Sequence, residues 1–166
     1  KALKVAKYKC LESLLFQTRY LFMSVHKKKF IVSNHHQIIC DTLEKVLTGE
    51  ITRLIINLPP RYGKTELAVK NFIAHGLSLN HEAKFIHLSY SDTLALDNSE
   101  EVKDMVQHED FQQLFPEIKI KKDSKSKKKW YTTQGGGVYA VASGGAITGF
   151  GAGSGGAIII DDPLKP

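Results

Sequence analysis

A lysine followed by a hydroxyl, and two consecutive carboxylates, are the side chains of this sequence best equipped for chemistry. Lys64 and Thr65 close the stretch Leu58-Pro59-Pro60-Arg61-Tyr62-Gly63-Lys64-Thr65, and Asp161 and Asp162 follow the apolar run Ala157-Ile158-Ile159-Ile160. The first group suits the gripping of a triphosphate. Gly63 lets the backbone turn tightly beside a phosphate, and peptide N–H groups at a helix start face an anion with the helix dipole behind them. Lys64 would reach the β- and γ-phosphates, and the Thr65 hydroxyl would ligate Mg²⁺. The second group supplies the complement. Asp161, at the end of a strand, would hold the metal through water, and Asp162 would orient and polarise an attacking water. In this order the two motifs have Walker A and Walker B form, and they imply a P-loop NTPase that uses ATP and Mg²⁺. Two details depart from the usual pattern. Leu58 stands where GxxxxGK[ST] begins with glycine, and Asp162 is one methylene shorter than the glutamate more common at its place. Each motif alone also fits a blander reading, a plain strand-to-helix turn or two acids capping a loop. Their pairing in the correct order favours the nucleotide site.

These residues need elements to bring them together. Residues 53–58 are a short β-branched apolar run, of the kind buried in a parallel sheet. Residues 59–63 must be loop, and 64–79 have helical periodicity through Leu67, Phe72, Ile73 and Leu77. A second strand is expected over 84–90. Ser91 caps a helix running towards Gln107, and a shorter helix covers 109–115 before Pro116. Upstream, Leu14, Leu15, Phe16, Tyr20, Leu21 and Phe22 suggest an amphipathic helix within 3–24. Ser33-Asn34 opens another helix, 35–47, that Gly49 ends. After Pro116, 118–120 and 130–133 read as strands around a lysine-rich turn, with further strand candidates at 138–142, 146–148 and 157–160. Residues 135–156 hold ten of the thirteen glycines. They suit either a hairpin beside the nucleotide site or a segment that is mobile without partner subunits. The predicted fold class is α/β: a P-loop NTPase with a mainly parallel sheet flanked by helices and a glycine-rich β-hairpin insertion. Two regions are expected, a basic N-terminal helical segment over 1–33 and a P-loop ATPase domain over 34–166.

Charge distribution adds a partner. Residues 1–33 carry eight Lys/Arg against Glu12 alone, and 119–129 carry seven lysines against Asp123 alone, within a net charge of +6. Positive charge gathered in two places suits a polyanion such as DNA, and equally a solubilising surface. Trp130 and Tyr131 beside the lysines could flank a phosphate grip, although core packing is the simpler role for Trp130. No apolar run is long enough to span a bilayer. Cys10 and Cys40 form no CxxC pair, so small buried residues in a reducing compartment are expected.

A wider set of segments carries a family resemblance. Phe30-Ile31-Val32, His35-His36-Gln37, the run LIINLPPRYGKTE over 54–66, HLSYS over 87–91, KKWYT over 128–132 and IIIDDP over 158–163 together resemble tailed-phage terminase large subunits, from about residue 12 onwards. The resemblance implies an ATP-driven motor that packages double-stranded DNA into procapsids. It implies homo-oligomeric rings, a portal protein and a terminase small subunit as partners, and the cytoplasm of the bacterial host as location, with no membrane. Lys64, Asp162 and Arg61 would then be catalytic, with Arg61 sensing the γ-phosphate or stiffening the loop. Thr65 and Asp161 would hold the metal. Gln37, Arg61, Tyr62, Gly63, Lys64, Thr65 and Glu66 would bind the nucleotide, with Gln37 either reading adenine or standing as an ordinary exposed helix residue. His35 and His36 are expected to be helix-start residues without chemistry. Many relatives place an arginine after a Thr-Gly pair shortly before the second motif, but Phe150 follows Thr148-Gly149 here. The strand that couples hydrolysis to motion and an RNase H-like nuclease domain would lie beyond Pro166. The chain is therefore expected to be a fragment truncated after its last strand, with weak turnover and no nuclease activity. Two alternatives remain beside the motor: a superfamily 2 helicase-like ATPase fragment, and a degenerate prophage remnant that does not hydrolyse.

Overall fold

Ser13 decides how the N-terminal apolar residues are laid out. The single helix expected over 3–24 is two, α1 (Ala2–Glu12) and α2 (Leu14–His26), because Ser13 is extended (φ −146°, ψ 118°) and its hydroxyl accepts the Phe16 N–H at 3.2 Å, capping α2. Lys27 ends α2 in the left-handed region, and α3 (Asn34–Leu47) follows. This computed structural model describes residues 1–142, 144–145, 149–153 and 155–164.

The first three helices contribute directly to the core. Cys10, Leu14, Leu15 and Leu21 join Ile39, Cys40 and Leu43 in one cluster with Leu67, Phe72, Leu77, Phe85 and Trp130. Both cysteines are free and buried, as expected, and burial pushes each thiol up to about 12.

After the 59–63 loop the chain enters a π-helical stretch, Glu66–Asn71, that continues into α4 (Phe72–Leu79). The wide turn is held by Asn71, whose side-chain amide donates to both the Glu66 carbonyl and the Glu66 carboxylate at 2.9 Å. The sheet is mixed. Its strands β1 (Lys84–Ser89), β2 (Lys129–Tyr131), β3 (Gly137–Ala142) and β4 (Ala157–Ile160) lie in the order β2-β3-β1-β4. β1 pairs in parallel with β3 and with β4, whereas β2 runs antiparallel to β3. Helix α5 (Asp92–Gln107) packs across β1 and β3, and α6 (Glu109–Leu114) packs on α1 and α5. Trp130 is fully buried and donates its indole N–H to Ser99 on α5 at 3.0 Å, which gives it the core role. Among the described residues no helix is long and apolar enough to cross a membrane.

Two expectations need correction, and a third is met in part. Residues 53–58 form no strand and pair with none among the described residues. Leu54, Ile56 and Leu58 pack against the core while Ile55 is 86% exposed. A β-branched alternating pattern favours a strand, but a ladder needs a neighbour, and among the described residues β4 pairs with β1 alone. Residues 118–120 make a single bridge, Ile120 to Thr132, in place of a strand. Among the described residues the glycine-rich stretch opens as a strand. Its first part is β3, an interior strand, and the antiparallel turn it makes is with β2, at Gly135 and Gly136. The strand expected over 146–148 lies outside the described residues, as does Thr148.

Candidate nucleotide-binding site

The loop and the last strand meet. The parallel pairing of β4 with β1 fixes the exit of β4: Asp161 N–H donates to the Leu88 carbonyl at 2.8 Å, and Tyr90 N–H donates to the Asp162 carbonyl at 3.0 Å. This holds both carboxylates at the C-terminal end of the sheet, where open α/β sheets bind ligands. From the other side the helix start delivers its two side chains. Thr65 Oγ1 donates to Asp161 Oδ2 at 2.9 Å, across 96 residues of sequence. Lys64 Nζ lies 3.4 Å from Asp161 Oδ1 and makes a short hydrogen bond to Asp162 Oδ1. The Asp162 carboxylate, with Asp161 behind it, holds the Lys64 ammonium above its usual pKa. An open cleft of about 440 Å³ lies over these groups, lined by Ile56, Asn57, Leu58, Pro59, Lys64 and Asp162.

Backbone strain gathers at the same place. Among the described residues the non-glycine positions with positive φ are Lys27, Arg61 (70°) and Asp162 (44°). Two of the three are expected site residues, and such conformations cost roughly 1–3 kcal/mol unless the surroundings enforce them. Gly63, at φ 82°, turns the loop towards α3.

The other expected residues are placed less centrally. Arg61 and Tyr62 are exposed on the loop, with the Tyr62 ring edge-on to His35 at 5.8 Å. The Glu66 side chain turns along its own helix towards Asn71 and Lys70, the latter at 3.5 Å. Gln37 is exposed on α3 and donates to Asp41 at 2.6 Å, one turn along. It does not line the cleft above Lys64.

As oxygen donors, the Thr65 hydroxyl and the Asp161 carboxylate suit a hard cation, and Asp161 is 9% exposed. The side chains present therefore fit Mg²⁺ with phosphate and water completing its shell.

His35 and His36, read from the sequence as helix-start residues without chemistry, both reach the phosphate loop. Both ring Nε2 atoms lie 3.3 Å from the Tyr62 carbonyl oxygen in the phosphate loop. The spacing Ser33 to His36, a helix cap followed three residues later by a polar side chain, was the available signal.

The lysine run of 119–129 borders β2, at the edge of the sheet opposite β4. Several of its charges are already engaged: Lys127 faces Asp97 and Glu100 on α5, and Lys129 lies over the rings of Tyr131, Tyr139 and Phe150. No family model matches the chain, and neither a known protein nor a solved structure matches it.

Proposed function

We propose that this chain is the nucleotide-binding part of an ATP-hydrolysing P-loop motor, and that the motor packages double-stranded DNA as terminase large subunits do. One observation carries the reading. Lys64 and Thr65, at the start of the helical segment that follows the 59–63 loop, meet Asp161 and Asp162 from the exit of β4, across an open cleft.

ATP is the substrate of this reading. Thr65 and Asp161 would hold Mg²⁺, which when bound neutralises phosphate charge and polarises the phosphate oxygens. The Lys64 ammonium is now shared between two carboxylates. A triphosphate offers it stronger anionic partners, so binding transfers Lys64 from Asp162 to the β- and γ-oxygens. That transfer frees Asp162, whose side chain is 61% exposed. The released carboxylate then accepts a hydrogen bond from the attacking water and aims it at the γ-phosphorus. Peptide N–H groups of 62–65 surround the phosphates at the helix start. Arg61, beside them, stabilises charge on the γ-phosphate. Double-stranded DNA, a portal protein, a small subunit and further copies of the chain are the partners that go with this activity.

ATP turnover by the chain, measured with Mg²⁺ and compared with Lys64→Ala and Asp162→Asn, tests the reading. Turnover or nucleotide binding that both variants leave intact would remove the site from consideration.

A further inference from the structure

The loop that would hold the phosphates is pinned from outside by α3, through a histidine whose proton position is dictated by its neighbours. The Ser33 N–H donates to His36 Nδ1 at 3.0 Å. A nitrogen that accepts carries no proton, so the neutral ring keeps its hydrogen on Nε2. That Nε2 lies 3.3 Å from the Tyr62 carbonyl oxygen and must donate to it. The ring is buried, 7% exposed, and is packed on Phe30 with centroids 5.0 Å apart, and Phe30 in turn meets Phe22 of α2. Burial, with His35 alongside, lowers the His36 pKa and favours the neutral ring.

The geometry of the peptide gives this contact its consequence. In a planar trans peptide the C=O and the following N–H point in opposite directions. A Tyr62 carbonyl drawn towards α3 sends the Gly63 N–H away from α3. Gly63, at φ 82°, could accept the flipped peptide at little cost, so something else must choose the orientation. A Cβ at position 63 would stand 3.2 Å from His36 Nε2, tighter than most Cβ contacts, so a larger residue there would press on the ring.

We infer that His36 is a positioning residue: it holds the Tyr62–Gly63 peptide with its N–H turned to the anion side, and so prepares the phosphate loop before nucleotide arrives. This deepens the proposed nucleotide site and rests on it. His35 Nε2 lies 3.3 Å from the same carbonyl oxygen and flanks the contact.

His36→Phe keeps an aromatic ring and removes both hydrogen bonds. His36→Gln restores an acceptor and a donor on one amide, within reach of Ser33 and Tyr62. ATP affinity with Mg²⁺ is expected to fall about tenfold in the first variant and to stay within about twofold of the parent in the second. In the nucleotide-free parent, imidazole ¹⁵N shifts should show His36 as the neutral Nε2–H tautomer. The Gly63 amide resonance should move in His36→Phe and return in His36→Gln. A His36 ring protonated on Nδ1 at neutral pH, a Phe variant that binds as the parent does, or a Gln variant as weak as Phe would overturn the inference. Should the parent bind no nucleotide at all, the proposed function fails, while the tautomer and the Gly63 resonance still decide on the pin.

Discussion

Two polar clusters lie along the helical segment that begins at Thr65 and ends at Leu79, and they are built on opposite terms. At its start, Lys64, Asp161 and Asp162 are charged and, with the Thr65 hydroxyl, are paired with one another at a partly exposed rim. Further along, Gln17, His75 and Ser78 form a sealed neutral chain between α2 and α4. His75 Nδ1 donates to Gln17 Oε1 at 2.7 Å, Gln17 Nε2 donates to Ser78 Oγ at 3.2 Å, and Ser78 donates to the Ala74 carbonyl at 2.9 Å. Here each of these donors has an acceptor inside the protein, and burial pushes the His75 ring down to about 4. The sealed cluster ties α2 to α4. The open cluster holds its charges at a solvent-facing rim, where phosphate oxygens can replace one partner with another. The contrast predicts a stabilising role for the sealed cluster and, under the proposed function, phosphate binding for the open one, and it can be broken at either end.

The largest effect is expected at the open cluster. Lys64→Ala should lower ATP turnover roughly a thousandfold, about 4 kcal/mol in the barrier, because the ammonium is lost where transition-state charge develops. Its melting temperature should change little, since an exposed ion pair contributes weakly to folding. A large fall in melting temperature would make Lys64 a structural residue and erase the contrast.

Acid should act mainly on the sealed cluster. The His75 ring refuses a proton in the folded chain down to about pH 4, whereas in the unfolded chain it takes one near 6.5. Between these values the unfolded state binds more protons, so stability falls as pH falls and is fully present above the upper one. Urea unfolding should show a loss accumulating to about 3 kcal/mol across the window. His36 and His87, whose pKa values burial also lowers, add to the loss in the same direction. A stability profile flat between the two values would contradict the burial of these rings.

Gln17→Leu should destabilise the chain by about 2 kcal/mol, because it leaves the His75 N–H without an acceptor in the core. Nucleotide affinity should be unchanged if the two clusters are as separate as their chemistry implies. Ser78→Ala should cost about 1 kcal/mol in the same measurement, since only one link of the chain is removed. Equal losses in the two variants would mean that His75 does not depend on Gln17.

Local chemistry made much of this molecule legible. Helix α3 was readable from Ser33, Asn34 and Gly49, and α5 from Ser91, because caps and breakers act within a few residues. β1 and β4 were readable as short apolar runs, and Trp130 as a core residue. The split at Ser13 was missed because a serine inside an apolar periodicity carries no warning until its hydroxyl turns to cap the next helix. Residues 53–58 were misread as a buried strand because alternation reports the conformation of a segment and never its neighbours. The pairing of β3 beside β1 was hidden by the glycines around that strand, which suggested a turn-rich excursion. The π-helical stretch depended on an Asn71 side chain reaching back to Glu66, a contact with no signature in composition.

By itself the sequence determined which side chains could act on a phosphate: the order Gly63, Lys64, Thr65 at a helix start, and Asp161, Asp162 after an apolar strand. Those are choices of chemical type and short spacing, and both are local. Only the tertiary structure decided that the two motifs face one another, that Gln37 and Glu66 turn elsewhere, and that His36 reaches the Tyr62 carbonyl. Meetings across tens of residues depend on strand order and helix packing, which arise from the burial of the whole apolar set and not from any one motif.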